Sequence, residues 1–313
     1  MPQFGGQGKP PLGVVYDADL GNTIDGPLGL AVLYGLQGKS ESRVVSVTTT
    51  KPSIASATFA DILVRFYTGE PGGFFAPQPI GMAASGPKPE DTPMLTAVLA
   101  KPYSRGVHKL NDTADPVATI RNALSAQVDQ NAVVVLAGPA TNLARVLDLP
   151  GGKELVAKKV KFLAVAGWRG GAGAWDAPSA GKLFANWPTP IVAVPKELGE
   201  ALPFPAAVMD KEFAWAPAHP IVDAWRAAGG QDIPSWAPAA ALYAVRPVEN
   251  YFKLSDPGTI AIAADGSATF TAAPAGKHRN LIFDPAQKDK IIQTFVELGS
   301  TKQVPRPVRR RPG

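Results

Sequence analysis

Cysteine is absent from the 313 residues, which removes a disulfide framework, a thiolate nucleophile and any thiolate-held zinc or iron–sulfur centre. Histidine is scarce, with three copies, so a metal would have to be held mainly by oxygen. Long apolar runs are missing as well. Stretches such as 131–136 and 260–264 break far short of the roughly 18 residues that span a bilayer, so neither a transmembrane segment nor a membrane partner is expected. Residues 1–11 contain neither a basic n-region nor an apolar h-region, so no signal peptide is expected in this chain; it is cytoplasmic, or exported after an earlier cleavage. A net excess of one sign is missing from the body. The formal charge is +5, but Arg306, Arg309, Arg310 and Arg311 stand without an acid in the last eight residues, and the remainder is near neutral. Nucleic acid is therefore not an expected partner. Residues 304–313 read as a solvated, disordered basic tail and residues 1–11 as a disordered N-terminal segment, leaving 12–303 as one domain.

With 45% hydrophobic and 18% charged residues, the body has ample material for a core. Short β-branched runs at 13–16, 43–47, 132–136, 162–165 and 191–194 alternate with helix-like stretches. Leu28, Leu30, Ala31, Leu33 and Tyr34 mark one helix. Phe59, Ile62, Leu63 and Phe66 mark a second within 57–67, and 117–128 gives a third. Repeated strand and helix predict a mostly parallel, open α/β sheet with helices on both faces, Rossmann-like in class. Beyond Pro195, prolines punctuate short helical pieces, residues 259–264 and 268–272 around Asp265-Gly266 predict a hairpin, and 288–298 a closing helix. No polar linker precedes this part, which favours an elaborated end of the same domain over a second one.

Two glycine motifs fail as phosphate cradles. Gly38-Lys39-Ser40 has Leu33 where a P-loop needs glycine and follows a helix, so it reads as a turn. Gly167, Gly170, Gly171 and Gly173 lack the dinucleotide order and read as a flexible loop beside a site. The acidic cluster ending the first strand is more informative. In Asp17-Ala18-Asp19-Leu20-Gly21-Asn22-Thr23-Ile24-Asp25, Asp17 and Asp19 share a strand face and Asp25 can return from the loop to meet them. Converging carboxylates repel unless a cation or shared proton compensates, which points to a hard-cation site. The plainer alternative has Asp17 bonding loop amides and Asp25 capping the helix around Leu28.

This motif, followed about a hundred residues later by the strand and turn Val133-Val134-Val135-Leu136-Ala137-Gly138-Pro139-Ala140-Thr141-Asn142, resembles the inosine–uridine-preferring nucleoside hydrolases. Weaker correspondences at Val47-Thr48-Thr49, Pro79-Ile80-Gly81, 162–167 and 176–194 extend the resemblance in order across 12–300. The resemblance implies a Rossmann-like fold, a homo-oligomer, a riboside substrate, and hydrolysis of N-glycosidic bonds with the help of a bound calcium ion. Carried over residue by residue, Asp19 is metal ligand and candidate base, Asp17 its supporting neighbour, and the Ala137 carbonyl a further ligand. Asp25 is a ribose contact that can also take a ligand role. Asn142 and Trp236 fall at substrate-binding positions. One cleft lined by these residues, the 137–142 turn and the 167–173 loop is expected.

The departures fall on the metal. Gly26 stands where the family has the second of two consecutive aspartates, and Ser235-Trp236-Ala237-Pro238 aligns with its His-Asp-Pro segment, placing Ala237 at a ligand aspartate and Trp236 at a histidine. Family asparagines fall near Ser53 and Ala172. Calcium normally takes 6–8 oxygens, so weak or absent binding and weak or lost hydrolysis are expected. His108, His219 and His278 show no metal-like spacing and read as surface residues, while Lys51 and Arg169 are candidates for a fixed cation in an emptied metal position. Two other functions compete: a non-catalytic binding or scaffold protein on the same fold and, remotely, a haloacid-dehalogenase-like phosphohydrolase. The latter also opens with Asp-x-Asp, but expects Thr or Val where Gly21 stands.

Overall fold

The alternating runs become a mostly parallel sheet in a computed structural model, which describes residues 10–69, 78–168 and 176–302. The chain passes through β1 (Leu12–Ala18), α1 (Asp25–Gly38), β2 (Ser42–Thr49), α2 (Ile54–Thr68), β3 (Ile80–Met82), α3 (Pro93–Leu99), α4 (Pro116–Ser125), β4 (Ala132–Ala137), α5 (Thr141–Val146), α6 (Gly152–Lys159) and β5 (Val160–Trp168). Then come α7 (Ala177–Asn186), β6 (Ile191–Pro195), α8 (Lys196–Ala201), α9 (Ala206–Glu212), α10 (Pro220–Ala227) and α11 (Trp236–Val245). The final elements are β7 (Lys253–Leu254), β8 (Gly258–Ile262), β9 (Ala268–Ala272), β10 (His278–Ile282) and α12 (Lys288–Gly299). Arg169, the glycines at 170, 171 and 173, Ala172, most of residues 1–11 and the 304–313 tail lie outside the described residues.

The sheet order is β3-β2-β1-β4-β5-β6-β10-β8-β9, with β7 beside β10. From β3 to β10 neighbouring strands are parallel; β8, β9 and β7 are added antiparallel. All five strands expected from the β-branched runs lie in this one sheet. The expected hairpin is β8–β9 and the closing helix is α12. The segment beyond Pro195 shares the sheet through β10, which joins β6. The third helix ends at Ser125 and not at 128, because Val128 turns outward and is 57% exposed.

Period-two alternation feeds two cores. Val14, Tyr16 and Ala18 of β1 enter one with residues of α1, α11 and α12; Val15 enters the other with residues of α4, α5 and α7. Helices α1 and α11 are buried along nearly their whole length, as helices without a polar face must be. Their contact is close. A Cβ on Gly29 would lie 2.6 Å from the Tyr16 hydroxyl and 2.7 Å from the Ala237 Cβ. No helix among the described residues is long and apolar enough to cross a membrane.

The histidine expectation needs correction for two of three. His219 is buried at the N-terminus of α10, where its Nδ1 accepts from Ile221 N, and His278 is buried in β10 with its Nδ1 accepting from Ile260 N. Burial lowers both pKa values, that of His219 to about 3, so both rings are neutral structural acceptors. Only His108 is exposed as expected.

Candidate functional site

Chain direction across the sheet reverses between β1 and β4, and in open α/β sheets ligands bind in the crevice outside that point. A cavity of about 120 Å³ lies there, walled by Asp19, Asn22, Asp25, Lys88, Gly138 and Trp236 among others, with Ala137 and Gly167 also at its surface. The structure thus brings together four of the residues that the sequence singled out: Asp19, Asp25, Ala137 and Trp236.

Asp19 follows the last residue of β1. Its N–H donates to the Ala137 carbonyl at 3.0 Å, extending the β1–β4 ladder by one bond, so that carbonyl already has a partner. The Asp19 carboxylate accepts from Asn22, through the backbone N–H at 3.3 Å and the side-chain amide at 2.8 Å. Burial holds the Asp19 carboxyl above its ordinary range, while the Asn22 bonds and the charges of Lys51 and Lys88 pull it back.

Asp17 and Asn142 stand behind the cleft wall, both fully buried. Asp17 Oδ1 accepts from the Thr48 hydroxyl at 2.6 Å and from Asn142 Nδ2 at 2.9 Å, and Asn142 also donates to the Thr49 carbonyl at 3.3 Å. Asp17 Oδ2 has no partner among the described residues. Burial raises this carboxyl to about 7 against the lowering effect of its two donors. Asp17 therefore braces β1, β2 and α5 internally, and Asn142 is directed to Asp17 and β2, not to the cavity.

Asp25, in the first turn of α1, reaches across to α11. Its Oδ1 and Oδ2 lie 3.0 and 3.2 Å from the Ala237 N–H. Ser235 precedes α11 without giving it a side-chain cap, so the carboxylate from α1 caps α11 in its place, where the helix dipole favours a negative charge. Position 26 is closed to a side chain in this backbone, because a Cβ on Gly26 would stand 2.6 Å from the Asp19 carbonyl oxygen. The Gly26 carbonyl accepts from the buried Tyr16 hydroxyl at 2.6 Å. Burial and the neighbouring Asp25 charge raise the Tyr16 pKa, keeping the hydroxyl a proton donor. Trp236 is only 6% exposed. Its indole N–H donates to the Lys196 carbonyl at 2.9 Å, and its ring packs against Gly199 and against Gly167, whose φ of +57° is left-handed.

The sequence reading missed Asn22, Lys88, Thr48 and Tyr16. Only Asn22 carried a local signal, since an Asp three residues before an Asn can accept its backbone and side-chain protons in one turn. The charges at the cleft are Asp19, Asp25, Lys88 and, buried behind Asn22, Lys51. These residues do not fit calcium. Two carboxylates reach the cavity, one is committed to an α11 amide and the other is linked to an ammonium through Asn22, and the described residues contain no cluster of three acidic or histidine side chains.

No protein-family model matches the chain, and no curated protein matches its sequence. Solved structures do. A plant nucleoside hydrolase, the PpNRh1 enzyme, superposes with a TM-score of 0.69 at 15% identity, over 93% of this chain and 99% of its own. The inosine–uridine preferring nucleoside hydrolase from Bacillus anthracis gives 0.67 at 14%, over 92% and 99%. The type III effector protein XopQ, solved with adenosine diphosphate ribose, gives 0.64 at 14%, over 95% and 96%. At such identities it is the architecture that is shared, and over nearly its whole length this chain carries the nucleoside hydrolase fold.

Proposed function

We propose that this protein is a nucleoside-hydrolase-like protein that binds a ribosyl group in the Asp19–Asp25–Trp236 cleft, with calcium-dependent hydrolysis weak or lost. The observation that carries the reading is the bond from Ala237 N–H to Asp25: at the position expected to supply a metal carboxylate, a backbone amide holds a carboxylate instead. Ribose is the chemistry common to the nucleosides named for two neighbours and the adenosine diphosphate ribose bound to the third. A cavity of about 120 Å³ with acceptors on Asp19 and donors on Asn22 and Lys88 suits a sugar's hydroxyls. Asp19 also favours a second reading, slow hydrolysis without a metal, because a raised carboxyl at the cleft surface can take a proton from water.

The test is titration calorimetry with inosine, uridine and adenosine diphosphate ribose, in chelator and in millimolar calcium, alongside an assay of base release. Binding that is unchanged by calcium and weakened by Asp19→Asn, with little or no base release, is expected. Robust turnover abolished by Asp19→Ala, with one tightly bound calcium per chain, overturns the proposal. Base release in chelator selects the second reading.

A further inference from the structure

We propose that the Lys51 ammonium is the resident cation of this site, supplying beside Asp19, through Asn22, the positive charge that a divalent metal would otherwise supply. This rests on the reading that no divalent cation bridges Asp19 and Asp25. Lys51 is 1% exposed, and a lysine so buried needs both hydrogen-bond acceptors and a counter-charge. Its acceptors are neutral: the Asn22 side-chain oxygen at 2.9 Å and the Lys88 carbonyl. Burial lowers the Lys51 pKa, and the carboxylates that counter this are Asp19 first, then Asp91 and Glu90, with Lys88 opposing them.

The connection to Asp19 is a three-member chain. Lys51 donates to the oxygen of the Asn22 amide, and the nitrogen of the same amide donates to Asp19 Oδ2 at 2.8 Å. An amide so placed is polarised in one sense from end to end, its oxygen toward the ammonium and its NH2 toward the carboxylate. The lysine stem is held beneath the loop that carries Asn22, since a Cβ on Gly21 would meet Lys51 Cδ at 3.0 Å. Asp91 has its own neutral donor, the Ser53 hydroxyl at 2.6 Å. Gly26 and Ala237 contribute no charge, and at the cleft Lys51 and Lys88 are the cations that stand against Asp19 and Asp25.

The experiment is a double-mutant cycle on the full chain by urea unfolding in chelator, with Lys51→Met, Asp19→Asn and the pair, and a parallel cycle with Asp91→Asn. Lys51→Met should raise the unfolding equilibrium constant on the order of 10²-fold, by leaving the part-buried Asp19 carboxylate uncompensated. Asp19→Asn in the Lys51→Met background should recover at least roughly tenfold of that loss, and Asp91→Asn less. Millimolar calcium should raise the Tm of Lys51→Met and leave that of the wild type and of the Lys51→Met/Asp19→Asn pair unchanged. Should Lys51→Met fail to fold, recovery of folding in the pair is the same readout, with Lys51→Gln as the milder variant. Independent losses, coupling to Asp91 in place of Asp19, or equal calcium responses in wild type and Lys51→Met would each overturn the proposal. The cycle uses no riboside, so its failure is distinguishable from failure of the ribosyl-binding reading.

Discussion

The two walls of the cleft solve the same problem in different ways. At the strand ends, Asp17 is held by the neutral donors Thr48 and Asn142, and Asp19 by Asn22 with the charges of Lys51 and Lys88 near it. At the helix wall one acid, Asp25, is set in close packing, with the Asp19 carbonyl against Gly26 and the Tyr16 hydroxyl and Ala237 against Gly29, so that neither glycine has room for a side chain. The difference teaches that one cleft can hold its acids by hydrogen bonds on one side and by close packing on the other. The strand wall tolerates its acids through hydrogen bonds. The helix wall would resist further acids at positions 26 and 29, because neighbouring backbone, the Tyr16 hydroxyl and Ala237 occupy the space.

Placing a second acid on the helix wall is the most severe way to break this comparison. Ala237 is fully buried, and its amide already serves Asp25. Ala237→Asp would place a second carboxylate in that contact, with a cost of roughly 3–5 kcal/mol expected for an uncompensated buried charge. Urea unfolding at neutral pH checks it. Calcium should not recover the loss, since the partner position at Gly26 admits no Cβ without moving the Asp19 carbonyl. If millimolar calcium restores stability to this variant, the helix wall is still a metal site and the contrast between the walls fails.

The strand wall is tested by Asp17→Asn. The Asp17 carboxyl rises in the folded protein from 3.8 to about 7. Between those values the folded state retains a proton that the unfolded state has released, so stability falls as pH rises through the window and levels off above about 7. Asparagine keeps an acceptor for Thr48 and Asn142 and removes the charge. The variant should therefore gain stability at pH 8, up to roughly 4 kcal/mol, and lose this component of the pH dependence. Urea midpoints at pH 5 and pH 8 measure both. Equal midpoint shifts with pH in wild type and variant would mean that Asp17 stays ionised throughout and has a donor at Oδ2.

Much of the strand wall was legible in the sequence, and little of the helix wall was. Val14, Val15 and Tyr16 announce β1, and Asp17 and Asp19 follow within the same short segment, so local pattern is enough to place them at a strand end. The bond between Asp25 and Ala237 joins residues 212 apart, and no local rule anticipates a cap delivered from another helix. Tyr16 reads as one more apolar strand residue until α1 and α11 are packed around its hydroxyl. β10 was not seen because His278-Arg279-Asn280 breaks the alternation; it is a strand by virtue of its neighbours β6 and β8. The same segment misled the reading of His278, as polar surroundings in sequence gave no hint of burial in space.

Asp25→Ala sharpens the comparison with a smaller expected effect. It leaves the Ala237 N–H buried without that acceptor and removes a negative charge from the N-terminus of α11, for a loss of about 1–3 kcal/mol. Asp25→Asn keeps an acceptor and should lose less than half as much. Unfolding curves for the two variants separate the hydrogen bond from the charge. Equal losses would show that the charge matters most and that the carboxylate answers to the helix dipole or Tyr16 more than to a single amide.

The smallest expected effect belongs to Trp236→Phe. The indole is held on two sides by Gly167 and Gly199, where a Cβ would collide with it, and its N–H is directed to the Lys196 carbonyl. Phenylalanine retains an aromatic surface between the glycines and leaves that carbonyl without its donor, a loss of about 1 kcal/mol. A residue packed this tightly is a fixed wall, so riboside affinity measured by calorimetry should change less than about threefold, in line with the stability loss of about 1 kcal/mol being shared by the free and bound protein. A tenfold or greater loss of affinity with unchanged urea midpoint would instead place Trp236 on the ligand. The helix wall would then contribute recognition, and the division of labour between a polar strand wall and an inert helix wall would have to be redrawn.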